Sequence, residues 1–256
     1  MKFQINKYLI DDIINSEHPS DFEVTKEYAI FILRLPYIKD DKVKIISYAF
    51  LIKEGNVYEY CRSAKDFVQL GDFATLHNFL DVRVDKILAK ISRLHTKIEK
   101  MEDMLYEDTY EGDFAKDWIE IKKELSLIER LMAHAMIAFS RFIKHYKDRI
   151  DELAYKDLEE HIERSLRFCR SGMEKLDNLY SFYRTRIDER MNMIMFILTI
   201  ISAIFLPMTL VTGFFGMNTG GLPYTQDPLG TWKVTLFLVI FEIPFVYFIW
   251  RLMKKS

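Results

Sequence analysis

The stretch MIMFILTIISAIFLPMTLVTGFF, Met193–Phe215, is 23 residues without a charged side chain. As a helix, an apolar run of this length crosses a hydrocarbon core of roughly 30 Å. A second apolar run, Val234–Met253, follows after a short Gly- and Pro-containing connection and is broken by Glu242 and, near its end, Arg251. Two such runs joined so closely predict a helical hairpin that crosses a membrane twice. Basic residues set its direction. Arg184, Arg186 and Arg190 precede the first run, Arg251, Lys254 and Lys255 close the second, and no Lys or Arg lies between the runs before Lys233. The positive-inside rule then places both termini in the cytoplasm and the connection outside.

Working back from Met193, the period is helical. From Tyr155 onward, Leu158, Ile162, Leu166, Phe168 and Leu176 lie on a helix that has no proline before Pro207. Upstream, Leu80, Val84, Ile87, Leu88, Ile91, Leu94, Ile98 and Met101 recur at spacings of three and four. The series Trp118, Ile121, Leu125, Ile128, Leu131 repeats the pattern after a break near Gly112. These are amphipathic rods that bury one face against each other or against sister subunits. Before them, residues 27–33 and 44–52 are rich in β-branched and aromatic residues and predict strands. Pro36 with Lys39-Asp40-Asp41-Lys42 is expected to separate those strands, and Glu54-Gly55-Asn56 to form a hairpin turn. The expected fold is an α+β membrane protein. Its parts are a small cytoplasmic α/β domain (1–75), a helical region (76–154), a stalk helix (155–192), a first span (193–215), an outer loop (216–231) and a second span (232–253).

Composition narrows the function. The formal net charge of -2 offers no basic excess for nucleic acid. Two distant cysteines, Cys61 and Cys169, form neither a disulfide framework nor a thiolate metal site. The N-terminus has no apolar run with a cleavage site, so no signal peptide is expected. His77, His95, His134, His145 and His161 lack compact ligand spacing and read as packing or surface residues. The acidic run from Glu99 to Asp113 reads as a solvated helix end. No nucleophile motif, phosphate loop or catalytic carboxylate pair is present, so an enzyme is not expected, nor a resident cofactor.

The first span is uneven around its circumference. Asn192, Thr199, Ser202, Thr209, Gly213 and Gly216 fall mainly on one stripe, which Met195, Leu198 and Leu206 complete, because steps of three, four and seven return to one helical face. A polar stripe in lipid faces protein or a water-filled path; small residues on it also suit close helix packing. Two spans do not enclose a pore, so a conducting path requires several copies. Glu242 is expected to be protonated or hydrogen-bonded to the first span or a neighbour, with helix packing as its main role and proton coupling as the other.

Phe205-Leu206-Pro207-Met208-Thr209-Leu210-Val211-Thr212-Gly213-Phe214-Phe215-Gly216-Met217-Asn218 resembles the signature of the CorA family of magnesium transporters. Arg190-Met191-Asn192-Met193-Ile194-Met195 resembles the family's entry to the same helix, and the order of parts matches as well. The resemblance implies a homopentamer in the lipid bilayer of the cytoplasmic membrane, with five first spans around a pore for divalent cations. Gly216, Met217 and Asn218 would form its outer mouth, with the Asn218 amide oxygens as a selectivity ring. Asn192, Met195, Leu198, Ser202, Leu206, Thr209 and Gly213 match pore-lining places, and Met195, Leu198 and Leu206 would close the path by dewetting. A count back along the stalk brings Asp157 to a regulatory metal position.

The loop departs from the magnesium pattern. Thr219-Gly220-Gly221-Leu222-Pro223 replaces an acidic segment and resembles the ZntB zinc-transporting branch, whereas Met217 keeps the magnesium-type tripeptide. Hydrated Mg²⁺ is the favoured ion, with Zn²⁺, Co²⁺ or Ni²⁺ as alternatives. A membrane-anchored helical scaffold is the reading from another class, but an anchor needs no polar stripe and no Asn at the outer end.

Overall fold

The computed structural model describes residues 3–110, 112–217, 220–224 and 226–253. The chain divides into two compact units, Met1–Phe182 and Tyr183–Ser256.

The first unit begins with α1 (Lys7–Ile14) and a five-stranded antiparallel meander in the order β1-β2-β3-β4-β5, formed by Asp21–Val24, Ala29–Lys39, Lys42–Lys53, Asn56–Cys61 and Asp66–Gly71. The hairpin turns follow from local chemistry. Asp40 and Asp41 both take positive φ, as do Glu54 and Gly55, and two central residues with positive φ match the right-handed twist of the flanking strands. Pro36 does not separate the strands as expected; it lies inside β2, opposite Ile45. The reason is that β1 pairs only with residues 29–32 of β2. The half of β2 that holds Pro36 is therefore an edge, where a missing N–H is tolerated.

β2 reads as a continuous apolar run because both of its faces are covered. Ile30 and Ile32 pack with Leu9 and Ile13 of α1 and with Ala49 and Leu51 of β3. On the other face, Phe22, Phe31 and Phe50 meet aromatic residues of the helices, with the Phe31 and Phe142 rings stacked at 4.8 Å.

Three long helices follow: α2 (Phe73–Tyr106), α3 (Phe114–Tyr146) and α4 (Glu152–Phe215). Each starts behind an aspartate that accepts from first-turn backbone N–H groups. Asp72 receives Thr75 N at 2.9 Å, Asp113 receives Lys116 N at 3.1 Å, and Asp151 receives Leu153 N at 3.1 Å. Buried positions on α2 run Leu76, Leu80, Val84, Ile87, Ile91, Leu94 and Ile98, the stripe expected of an amphipathic rod. Tyr155 of α4 is buried, and its hydroxyl donates to the Phe73 carbonyl at 2.7 Å. Trp118 Nε1 donates to the Leu176 carbonyl at 2.9 Å.

One charge sits in this apolar seam. Lys90 of α2 is 1% exposed, and its Nζ lies 2.9 Å from Glu124 Oε2 and 3.4 Å from Asp41 Oδ1. A buried ammonium is tolerated only when it is paired, so Lys90 ties the β2–β3 turn, α2 and α3 together.

In the second unit, α4 continues without interruption to Phe215, and α5 (Gly230–Met253) follows. Among the described residues, α4 is the helix long and apolar enough to cross a membrane, with a window of mean hydropathy 2.5 in which no residue is fully buried.

Both cysteines are free thiols. Hydrogen bonding to Ser63, then to the Ala64 backbone, holds the Cys61 thiol below its ordinary value. Burial, with Glu129 adding to it, pushes the Cys169 thiol up to about 12. Alkylation near neutral pH followed by mass spectrometry is therefore expected to modify Cys61 readily in the folded protein and Cys169 only after unfolding. Equal labelling of both thiols without denaturant would contradict the packing of α4.

Candidate functional site

The apolar half of α4 has two sides. Ile200, Ala203, Ile204, Pro207, Val211 and Phe215 are half-buried, whereas Met195, Leu198, Ser202, Leu206, Thr209 and Gly213 are exposed. At about 100° per residue, these sets lie on roughly opposite sides of the helix. The half-buried side is the one that meets α5. There Val211, Thr212 and Phe215, with Val234, Thr235 and Leu238, line a cavity of about 520 Å³. The exposed surface holds the stripe read from the sequence, together with Ile201, Phe205, Met208, Leu210 and Phe214 beside it, and a single chain leaves it uncovered. Leu206 is 74% exposed, and Gly213 has open space where a Cβ would stand. Asn192 continues the exposed surface one turn before Met195.

The threonines on this helix are bonded inward. Thr199 Oγ1 donates to the Met195 carbonyl at 2.8 Å, Thr209 Oγ1 to the Phe205 carbonyl at 2.8 Å, and Thr212 Oγ1 to the Met208 carbonyl at 2.9 Å. Each hydroxyl proton is thereby used within the helix, which leaves oxygen lone pairs facing outward. Thr209 thus offers the stripe a hydrogen-bond acceptor.

The end of α4 is built by backbone bonds. Gly216 N donates to the Thr212 carbonyl at 2.9 Å and Met217 N to the Phe214 carbonyl at 3.4 Å. A Cβ on Gly216 would come within 3.0 Å of the Thr212 carbonyl oxygen. Met217 is 45% exposed. Asn218, the expected selectivity residue, lies outside the described residues, as do Thr219, Lys254 and Lys255.

Asp227 has a partner that sequence reading missed. Its carboxylate accepts from Leu229 N at 2.9 Å and from Lys233 Nζ at 2.5 Å. Lys233 in turn holds the Asp227 carboxyl below its ordinary range. The loop's acidic residue is therefore neutralised at the start of α5. Gly230 is required beside it, because a Cβ there would approach the Tyr224 carbonyl oxygen to 2.0 Å. The signal available in sequence was a spacing of six with a glycine between, which no helical or strand period singles out.

Glu242 of α5 is 6% exposed, and its Oε1 has no hydrogen-bond partner among the described residues. Asp157 belongs to the first unit and takes no part in the stripe. Its carboxylate is exposed, with Oδ2 at 3.8 Å from His161 Nε2.

The family model described as CorA-like Mg2+ transporter protein matches residues 1–255. The putative metal ion transporter YfjQ of Bacillus subtilis (strain 168) is 25% identical over 187 residues, 72% of this chain and 57% of YfjQ. The zinc transport protein ZntB of Yersinia enterocolitica is 27% identical over 170 residues, 64% of this chain and 51% of that protein. The chain thus spans about half the length of the curated relatives it matches. In fold, it is similar to the complete structure of the CorA magnesium transporter from Methanocaldococcus jannaschii, with a TM-score of 0.78 at 19% identity over 95% of this chain and 82% of that one. With an N-terminal sheet, a long helix that runs into an apolar segment and a family match along nearly its whole length, this chain belongs to the family of CorA-like Mg2+ transporter proteins.

Proposed function

We propose that the protein is a divalent-cation channel in the cytoplasmic membrane, assembled as a homopentamer, with the exposed stripe of α4 lining its pore. The observation that carries this reading is the position of the stripe: it lies on the side of α4 turned away from α5, uncovered in one chain. Five copies that turn these stripes inward would cover Met195, Leu198 and Leu206 and bring Asn192, Ser202, Thr209 and Gly213 onto one path. α5 acts as the second span on the lipid side, with both termini in the cytoplasm. A scaffold would gain nothing from an outward-facing acceptor at Thr209.

Mg²⁺ surrenders its hydration shell reluctantly. Neutral oxygens suit it because they hold the ion through its waters and release it again. A ring of Asn218 amides at the outer end, above Gly216 and Met217, supplies such oxygens. Inward movement of a divalent cation gains about 4.6 kcal/mol per 100 mV of membrane potential. Leu198 and Leu206 close the path by excluding water when the ring of helices narrows.

Zinc is the second reading. It rests on the Gly220-Gly221-Leu222-Pro223 loop and on relatives named as zinc transport proteins. The buried Glu242 carboxyl supplies it with a candidate proton carrier.

Liposomes containing the purified full chain are expected to take up Mg²⁺, and more slowly Zn²⁺, when the interior is negative. Asn218→Ala should lower the Mg²⁺ rate by about tenfold or more, since each lost hydrogen bond to the hydrated ion is worth about 1 kcal/mol. An unchanged rate would remove the selectivity ring, and absence of flux for both ions would favour the scaffold. Leu206→Asn should hydrate the constriction and raise leak in the closed state roughly tenfold; a silent phenotype would remove Leu206 from the gate. On the zinc reading, an inward proton gradient accelerates Zn²⁺ uptake in the native protein but not in Glu242→Gln. Equal acceleration in both would take Glu242 out of the coupling.

A further inference from the structure

The seam between α4 and α5 holds a cavity of about 520 Å³ at the end nearest their connecting loop. Its deep wall is apolar, with Val211 and Phe215 contributed by α4 and Val234 and Leu238 by α5. Thr212 and Thr235 line it as well. Thr212 Oγ1 donates to the Met208 carbonyl at 2.9 Å, however, and Thr235 Oγ1 to the Thr231 carbonyl at 2.9 Å. Neither leaves a hydroxyl proton for an occupant. The mouth is different in character. Tyr224 and Asp227 stand there, and Asp227 is paired with Lys233. Trp232, next to Lys233, is 74% exposed.

A void of this size between packed helices forfeits contacts along all of its walls, so something fills it. Water does not suffice, because a buried water needs two to four polar partners and the deep wall has spent its donors. A second copy of the chain is placed elsewhere by the assembly proposed above, whose copies meet through the stripe turned away from α5. The membrane itself remains. From Gly230 to Leu238, α5 advances eight residues, about 12 Å of helix. Half of a hydrocarbon core is about 15 Å thick. The cavity therefore has nearly the depth of the chains of one leaflet.

We infer that this cavity binds one acyl chain of an outer-leaflet phospholipid, with the lipid phosphate held at Lys233. The inference rests on the reading of α4 and α5 as two membrane spans with the loop outside. Wall chemistry runs in the order of a lipid: apolar in depth, charged at the mouth, and aromatic at the level where Trp and Tyr mark a membrane interface. An ammonium carries three donors. Asp227 takes one, and Lys233, with a side chain 55% exposed, keeps two for phosphate oxygens. Gly216 also lines the cavity. A bound chain thus touches the outer end of the helix proposed to line the pore, and it sets the spacing of α4 and α5 there.

The test counts lipid rather than ion flux. The full chain is reconstituted into vesicles of phosphatidylethanolamine and phosphatidylglycerol, washed with alkaline carbonate, extracted in mild detergent and weighed by native mass spectrometry. The native protein is expected to keep one phospholipid per chain through detergent washes that strip loosely held lipid. Val234→Trp fills the cavity and should lower retention by about tenfold or more. Leu236→Trp adds the same ring at a position 61% exposed and outside the cavity, and should leave retention unchanged. Lys233→Gln keeps the cavity open but removes the phosphate contact, and should lower retention about threefold, as befits an exposed charge pair. Circular dichroism checks that each variant keeps its helices. Equal retention by native, Val234→Trp and Leu236→Trp proteins would mean annular lipid only and overturn the site. Absence of bound lipid from native protein that resists carbonate would overturn it too. Release of the native protein by carbonate would overturn the spans themselves, and the site with them.

Discussion

The constraint on which everything else rests is that α4 is a single helix from Glu152 to Phe215 whose surroundings change along its length. In its first part the helix must bury a narrow stripe, and Tyr155, Leu158, Ile162, Leu166, Cys169, Leu176 and Leu179 supply it. Wherever its apolar part faces lipid no water can satisfy a polar group, so hydroxyl and backbone groups there must find partners within the protein. Thr199, Thr209 and Thr212 meet that demand with their own helix carbonyls. The same bonds that make these threonines tolerable in lipid leave acceptor oxygens outward.

Charge is rationed by the same reasoning. Two charged groups stand where another group neutralises them. Lys90, in the helical seam, has Glu124 and Asp41; Asp227, at the start of α5, has Lys233. Glu242 differs, being buried with an oxygen left over. An orphan of this kind in a transporter fold is retained for a purpose or for packing, and the gradient-driven assay separates the two. The loop that carries Asp227 has no free carboxylate among its described residues.

How much of this was legible in the sequence depended on range. The long helices, the span and the stripe were readable because their signal is periodic and local: positions three, four and seven apart share a face whatever the tertiary fold does. The Glu54-Gly55 turn was legible for the same reason. Pro36 was misread because its cost depends on whether a neighbouring strand needs its N–H, and β1 turned out to stop short of it. The Lys90–Glu124 pair escaped notice because a pass along α2 counts apolar positions and sees a lysine as solvent-facing. Nothing local says that a carboxylate from α3 and another from the β2–β3 turn will meet it.

His161 shows the limit most sharply. Read along the chain, it is one of several scattered histidines with no ligand spacing, because Asp81 and Asp85 stand on a different helix, separated from it by the whole of α3. Only the placing of α2 beside α4 makes them neighbours, and the positions these helices bury, among them Leu80, Val84, Ile87, Leu158 and Ile162, are apolar. The polar faces are brought into register as a by-product of burying the apolar ones. A juxtaposition made in this way has no signature of its own in a single sequence, because nothing local to His161 records which carboxylates the packing will bring beside it.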